Sequence, residues 1–148
     1  MKHRAFTNVI VGEGGGYTPG VSSAGLHNRE RFPVTKITLY DIDQARNDDM
    51  QVIIQYLLAT EGYTDVTLNA TLDPEEAFTG AVFILPQIRA GGMEMREQDE
   101  KIPLQYGLVG QDTCGVGRFA PGLRSIKGSL DVVRFVQPYA PDAWLINY

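Results

Sequence analysis

The sequence is poor in cysteine and in basic residues. Cys114 is the single cysteine, so no internal disulfide can form, and such usage is typical of a reducing compartment. The chain carries 13 lysines and arginines against 18 acidic residues, for a net charge of −5. Because no basic cluster is present, binding to duplex nucleic acid or to an anionic membrane surface is disfavoured. We therefore expect a cytoplasmic protein that binds neither.

Long apolar segments are missing as well. No run approaches the roughly 20 residues of a membrane span, and the short run at 9–11 behind the basic N-terminus is too brief for a signal peptide. The apolar fraction of 43% is close to the globular average, which excludes fibrous and disordered classes. A chain of 148 residues closes one hydrophobic core, so we expect a single domain over residues 1–148.

What is present is an alternation of strand-like and helix-like segments. Short apolar runs predict five strands, at 5–11, 37–40, 66–72, 81–88 and 143–146. Helical spacing predicts two core-facing stripes, one of Met50, Ile53, Ile54, Leu57 and Leu58, the other of Ile126, Leu130, Val133 and Val136. Strands separated by helices pair in parallel through right-handed crossovers. The pattern predicts a doubly wound, Rossmann-like α/β fold with a mainly parallel sheet and helices on both faces.

Two helix starts are visible. Thr18 offers an N-cap hydroxyl before Pro19, and Asp73 offers an N-cap carboxylate before a proline. Glu76 stands three residues after Asp73, as in a capping box.

A glycine-rich turn joins the first strand to the first of these helices. Its glycines are Gly12, Gly14, Gly15 and Gly16. Such a turn directs backbone N–H groups at an anion beside a helix N-terminus, and glycine is needed because a Cβ would block a diphosphate. Tyr17 stands where the dinucleotide fingerprint has its third glycine. A tight structural turn is therefore the alternative interpretation.

Asp41 ends the second predicted strand, at nearly the spacing expected for the acidic residue that binds an adenosine ribose. Its carboxylate would accept hydrogen bonds from the ribose hydroxyls and repel a 2′-phosphate, which favours NAD over NADP. A solvated aspartate at a strand end is the alternative. The glycine turn and Asp41 together predict a dinucleotide-binding site.

Seven blocks of sequence carry a family resemblance over nearly the whole chain. They are GEGGGYTP (12–19), IRAGG (88–92), MR (95–96), DEKIPLQYG (99–107), GQDTCG (110–115), LRSI (123–126) and PDAWLINY (141–148). In order and spacing they resemble the NAD- and divalent-metal-dependent enzymes of glycoside hydrolase family 4. The run through Cys114 and the block at 123–126 resemble the 6-phospho-α-glucosidases more than the β-enzymes.

The resemblance implies a manganese-dependent hydrolase of carbohydrate metabolism that acts on a phosphorylated disaccharide or glucoside. In that family C3 of the sugar loses a hydride to NAD+, and a tyrosine then removes the acidified C2 proton while the metal stabilises the enediolate. The C1–oxygen bond breaks by elimination, water adds and the hydride returns.

The resemblance also implies site residues. The cofactor would contact Gly12, Gly14, Gly15, Gly16, Tyr17, Thr18, Asp41, Pro86, Gln87 and Ile88. The substrate would contact Arg89, Arg96, Asp112 and Asn147, with Arg96 near the 6-phosphate because a guanidinium suits phosphate geometry. A solvated helix arginine is the alternative for Arg96. Asp112 replaces a glutamate, Arg118 a glycine and Glu13 a glycine of the family pattern, which affects sugar recognition more than the fold.

The family's metal ligands, catalytic aspartate and tyrosine base lie in a C-terminal part that we expect to be absent from this chain. We therefore assign no catalytic and no metal-binding residue here, and expect Cys114 to be a small buried residue. The chain alone should lack turnover and should self-associate through surface meant for the missing part. The alternatives are a fragment of a lactate/malate-type 2-hydroxyacid dehydrogenase and a non-catalytic NAD-binding module.

Overall fold

A computed structural model of the chain describes residues 5–12, 16–111 and 114–147. Its five strands are β1 (Phe6–Val11), β2 (Val34–Tyr40), β3 (Thr67–Thr71), β4 (Phe83–Pro86) and β5 (Trp144–Leu145). All neighbouring pairs are parallel, in the order β3-β2-β1-β4-β5. The chain steps outward from β1 to β3 and then returns to the other side of β1. The predicted Rossmann-like α/β fold is confirmed.

Five helices accompany the strands in the described residues. They are α1 (Thr18–His27), α2 (Gln44–Thr60), α3 (Pro74–Phe78), α4 (Gly92–Leu104) and α5 (Phe119–Tyr139), with a short 3₁₀ turn at Val116–Arg118. The fold divides into two compact units. The first comprises the described residues up to Gln87 together with those from Arg134 onward, and it contains the whole sheet. The second is Ile88–Val133.

Alternation along the strands places apolar side chains on both faces of the sheet in the first unit. Ile10, Ile37 and Leu39 join one core cluster with Leu26 of α1 and Ile54 of α2. On the opposite face, the ring centroid of Tyr40 lies 5.2 Å from that of Phe78 in α3 and 6.2 Å from that of Phe135 near the end of α5. Helices therefore cover both faces, as expected for a doubly wound sheet.

The two helical stripes predicted from periodicity differ from those observed. Helix α2 buries Asn47, Met50, Ile54 and Leu58, while Ile53 is exposed. In α5, Ile126, Leu130 and Val133 are exposed, whereas Val132 and Val136 are buried. The prediction was wrong at Ile53, Ile126, Leu130 and Val133. A helical spacing of apolar residues indicates a helix, but it does not show which side of that helix packs against another element.

The two predicted helix starts also differ in their caps. Thr18 is the first residue of α1 rather than its N-cap, which is Tyr17, and no side chain caps that end. Asp73 does cap α3, accepting from the Glu75 amide at 2.9 Å. Glu76 does not complete a capping box, because its carboxylate accepts hydrogen bonds from Thr71 and Asn69 instead. In the described part of the chain no helix has the length and apolarity to cross a bilayer.

Gly25 offers a test of how α1 packs on the sheet. A Cβ at this position would meet Val34 Cγ2 at 3.9 Å and Phe32 Cδ1 at 4.0 Å, which is ordinary van der Waals contact. We expect Gly25→Ala to raise the free energy of unfolding by about 1 kcal/mol, because alanine is the better helix former. Urea denaturation followed by circular dichroism measures the change.

Gly91→Ala is the matched control, and for it we expect a decrease in the free energy of unfolding. Gly91 has φ +90°, and a Cβ there would lie 2.7 Å from Met95 side-chain atoms, so this variant should lose stability. A Gly25→Ala variant that is no more stable than the parent chain would contradict the described packing of α1 on the sheet.

Candidate functional site

The carboxyl ends of β1, β2 and β4 meet at one edge of the sheet, where the strand order reverses. Open α/β sheets bind ligands at such a switch point. Gly12 follows β1, Asp41 follows β2 and Gln87 follows β4. The Gly12 amide donates to the Tyr40 carbonyl at 2.9 Å, and the Gln87 amide donates to the Val11 carbonyl at 2.7 Å. These two bonds extend the pairing by one residue and hold two of the predicted cofactor residues, Gly12 and Gln87, at the edge where Asp41 follows β2.

The turn after β1 begins at Gly12, whose φ of +72° favours glycine. Gly14 and Gly15, which are predicted to contact the phosphates, lie outside the described residues. So does Glu13, which replaces a glycine of the family pattern. Gly16 and Tyr17 form a turn that enters α1, and the Tyr17 side chain is exposed. A Cβ at Gly16 would meet nothing within 4 Å, so the approach to this turn is open.

The N-terminus of α1 points its dipole at the same edge. Among the described residues no side chain caps this end, and the first turn contains no acidic residue. A helix start with uncapped N–H groups attracts anions. The predicted diphosphate site therefore lies at the positive end of the α1 dipole, which favours an anion.

The buried side chain of Thr18 connects the start of α1 to the end of β4. Thr18 Oγ1 donates to Gln87 Oε1 at 3.3 Å. Gln87 Nε2 is buried and has no hydrogen-bond partner among the described residues. A buried donor is almost always satisfied in a folded protein, so an orphan at a switch point indicates a place for an acceptor from outside the chain. A phosphate or ribose oxygen fits this donor.

Asp41 is held rigidly at the end of β2. Its Oδ1 accepts from the backbone amides of Ile42 at 2.7 Å and Asp43 at 3.1 Å, and the residue is only 7% exposed. The Asp41 side chain is therefore buried rather than solvated, and its backbone hydrogen bonds also stabilise the start of the loop. The two backbone bonds use one carboxylate oxygen and fix the orientation of the other.

The carboxylates of Asp41 and Asp73 lie near Tyr40, the last residue of β2. Burial raises the pKa of Tyr40, and the nearby carboxylates of Asp73 and Asp41 raise it further. Hydrogen bonds from Thr71 and then Asn69 lower the pKa of Glu76, which keeps this carboxylate ionised. The positive charge of Lys36 lowers the pKa of Glu76 as well, so a cationic side chain also lies near this carboxylate.

The described residues predicted to contact substrate are divided between the two units. Arg89 is exposed, and Arg96 in α4 is paired with Glu100, with its Nε 2.8 Å from Glu100 Oε1. Both belong to the second unit. Asp112 lies outside the described residues, and Asn147 is exposed after β5 in the first unit.

Within the second unit, the sequence analysis missed an ion pair. Arg124 of α5 forms a two-pronged salt bridge with Asp99 of α4, whose side chain is 5% exposed, and Arg124 Nε also donates to the Ala90 carbonyl at 3.4 Å. The pair joins both helices to the segment that precedes α4. Residue spacing gave no signal for it, because 25 positions separate the partners. Cys114, expected to be buried, is exposed.

Over residues 5–12, 16–111 and 114–147, no three histidine, cysteine or acidic side chains lie close enough together to hold an ion.

Comparison with known proteins identifies the family. The model of family 4 glycosyl hydrolases matches residues 8–148. A maltose-6′-phosphate glucosidase of Bacillus subtilis (strain 168) is 45% identical over 148 residues, which is 100% of this chain and 33% of that protein. A 6-phospho-β-glucosidase of Escherichia coli (strain K12) is 34% identical over 142 residues, 95% of this chain and 31% of that protein.

A solved structure agrees with these matches. The crystal structure of a 6-phospho-α-glucosidase from gut microorganisms, in complex with NAD and Mn²⁺, superposes with a TM-score of 0.89 at 37% identity, covering 98% of this chain and 33% of that one. The chain belongs to family 4 of the glycosyl hydrolases, as the resemblance predicted. It spans about a third of the length of these relatives.

Proposed function

We propose that this chain is the NAD-binding portion of a family 4 glycosidase that acts on 6-phospho-glucosides. The observation that carries the proposal is the edge formed by Gly12, Asp41 and Gln87, where a buried amide donor has no partner among the described residues. The crystallised relative holds NAD, and the residues of this edge fit the same group. These residues also disfavour the alternative of a purely structural glycine turn.

Each predicted cofactor residue has a role at this edge. The diphosphate would lie against the turn from Gly12 to Thr18, including Gly14, Gly15, Gly16 and Tyr17, at the N-terminus of α1. Asp41 would accept the hydroxyls of the adenosine ribose, while Pro86, Gln87 and Ile88 would line the nicotinamide side. When bound, NAD supplies a reversible hydride acceptor. The chain's own residues bind and orient it.

The substrate assignment rests on the relatives. The maltose-6′-phosphate glucosidase is 45% identical and the β-glucosidase 34%, which supports an α-linked 6-phospho-glucoside. Arg89, Arg96, Asp112 and Asn147 would contribute to its binding. For Arg96 this requires that a phosphate replace Glu100 as the partner of its guanidinium. We assign no manganese ligand in this chain, and the family match sets aside the dehydrogenase alternative.

Asp41→Asn tests the ribose contact. Asparagine keeps an oxygen for the Ile42 and Asp43 amides but removes the charge. We expect NAD to bind at least about tenfold more weakly, because hydrogen bonds to a charged group contribute roughly 1.5–3 kcal/mol, and the preference for NAD over NADP should shrink. Calorimetric titration with both nucleotides measures this.

Asp49→Asn in α2 is the control, since it makes the same charge change at an exposed position. It should leave both affinities unchanged. Equal loss in the two variants would show that net charge, rather than the ribose contact, determines affinity.

Gln87→Leu tests the orphan donor. Leucine is of similar size but removes the Nε2 donor and the acceptor of Thr18 Oγ1. We expect NAD affinity to fall about fivefold to tenfold, on the order of 1 kcal/mol for a neutral hydrogen bond. Gln55→Leu, at an exposed position of α2, should have no effect. Unchanged NAD affinity in Gln87→Leu would remove Gln87 from the site.

The chain by itself should bind NAD without hydrolysing substrate. An assay with a chromogenic 6-phospho-α-glucoside, NAD⁺, Mn²⁺ and a reductant should show no turnover above the buffer rate. Turnover would overturn the assignment of the catalytic groups to the two-thirds of the relatives' length that this chain does not span. Sedimentation in the same buffer, at several protein concentrations, tests the expected self-association.

A further inference from the structure

Beneath α1 the first unit contains a recess of about 140 Å³ that the proposed cofactor edge does not use. On the helix side it is lined by Val21, Ser22 and Gly25, and on the sheet side by residues that include Asn8 and Leu85. The recess lies between α1 and strands β1, β2 and β4.

The recess exists because α1 presents small side chains to the sheet over part of its length. Leu26 is almost fully buried and fills its share of the gap. Ser22 and Gly25 lie one turn apart on the same side of α1, and their small size leaves the space between the helix and the sheet unfilled. Protein interiors are otherwise close-packed, so a gap of this size calls for an occupant or carries a packing penalty.

Two buried polar atoms belong to this lining. Asn8 Oδ1 and Ser22 Oγ are buried without a hydrogen bond among the described residues, and their residues are 7% and 5% exposed. Both residues contact the recess. A buried polar group without a partner is strongly unfavourable, and buried waters commonly supply the missing bonds.

We propose that this recess is a hydration site, occupied by ordered water that donates to Asn8 Oδ1 and exchanges hydrogen bonds with Ser22 Oγ. One water needs roughly 10–15 Å³ of accessible space, so 140 Å³ admits a small cluster whose members also bond one another. Purely apolar cavities stay dry; this recess is lined mostly by apolar atoms, but the two oxygens without a partner among the described residues give water two polar contact points. The water fills the space between α1 and the sheet and thereby completes their packing.

A crystal structure of the chain at a resolution that shows ordered solvent is the direct test. We expect density in the recess within hydrogen-bond distance of Asn8 Oδ1 and Ser22 Oγ. An empty recess, or one closed by a shift of α1, would overturn the proposal. Both outcomes are independent of NAD binding.

Pressure unfolding provides a second test in solution. A dry cavity makes the volume change of unfolding more negative, and an added side chain that fills it reduces that magnitude. A hydrated recess exchanges its water with the bulk at little change in volume. We therefore expect Ser22→Val and Gly25→Ala to leave the volume change unaltered, and a clear reduction in either would overturn the proposal.

Gly20→Ala is the matched control for these variants. Gly20 lies in the same helix, and a Cβ there would meet nothing within 4 Å. This variant shows how much one added methyl group alters the volume change of unfolding when the group lies outside the recess. Gly25→Ala keeps the test decisive if Ser22→Val fails to fold, because its Cβ makes only ordinary contacts.

Discussion

The central position of β1 is the constraint on which the candidate site depends. Because β2 and β4 pair with opposite sides of β1, their carboxyl ends flank the turn that follows it. Two backbone hydrogen bonds, from Gly12 to Tyr40 and from Gln87 to Val11, carry this arrangement one residue past the strands. Residues far apart in sequence thus share one edge, beside the uncapped start of a helix. Without parallel pairing on both sides of β1, the turn, the carboxylate and the buried amide would be unrelated.

The features that depend on local residue type could be read from the sequence. The strands, the mainly parallel pairing and the Asp73 cap follow from short apolar runs and from a carboxylate before proline, and the observed sheet is parallel throughout. The place of Asp41 follows from its position at the end of a strand, because parallel strands align their carboxyl ends. The predicted strands were misjudged mainly in length, and β2 begins at Val34 rather than at residue 37.

The features that depend on which surfaces meet could not be read in this way. Periodicity did not identify the buried line of α5, since Val132 and Val136 alternate with other apolar residues that remain exposed. Thr18 matches the N-cap pattern, yet its hydroxyl is bound to Gln87, 69 positions away. The pairing of Asp99 with Arg124 is similarly non-local. In each case the competing partner comes from another element that only the tertiary fold brings near.

The way in which Asp41 is anchored has a thermodynamic consequence. Its carboxylate is fixed by two amides at the start of the loop, and Asp43, whose own amide is one of the two, caps α2. This carboxylate is therefore held in place by the backbone of the chain itself. The proposed ribose contact would cost little ordering of the Asp41 side chain, which favours affinity without adding a contact.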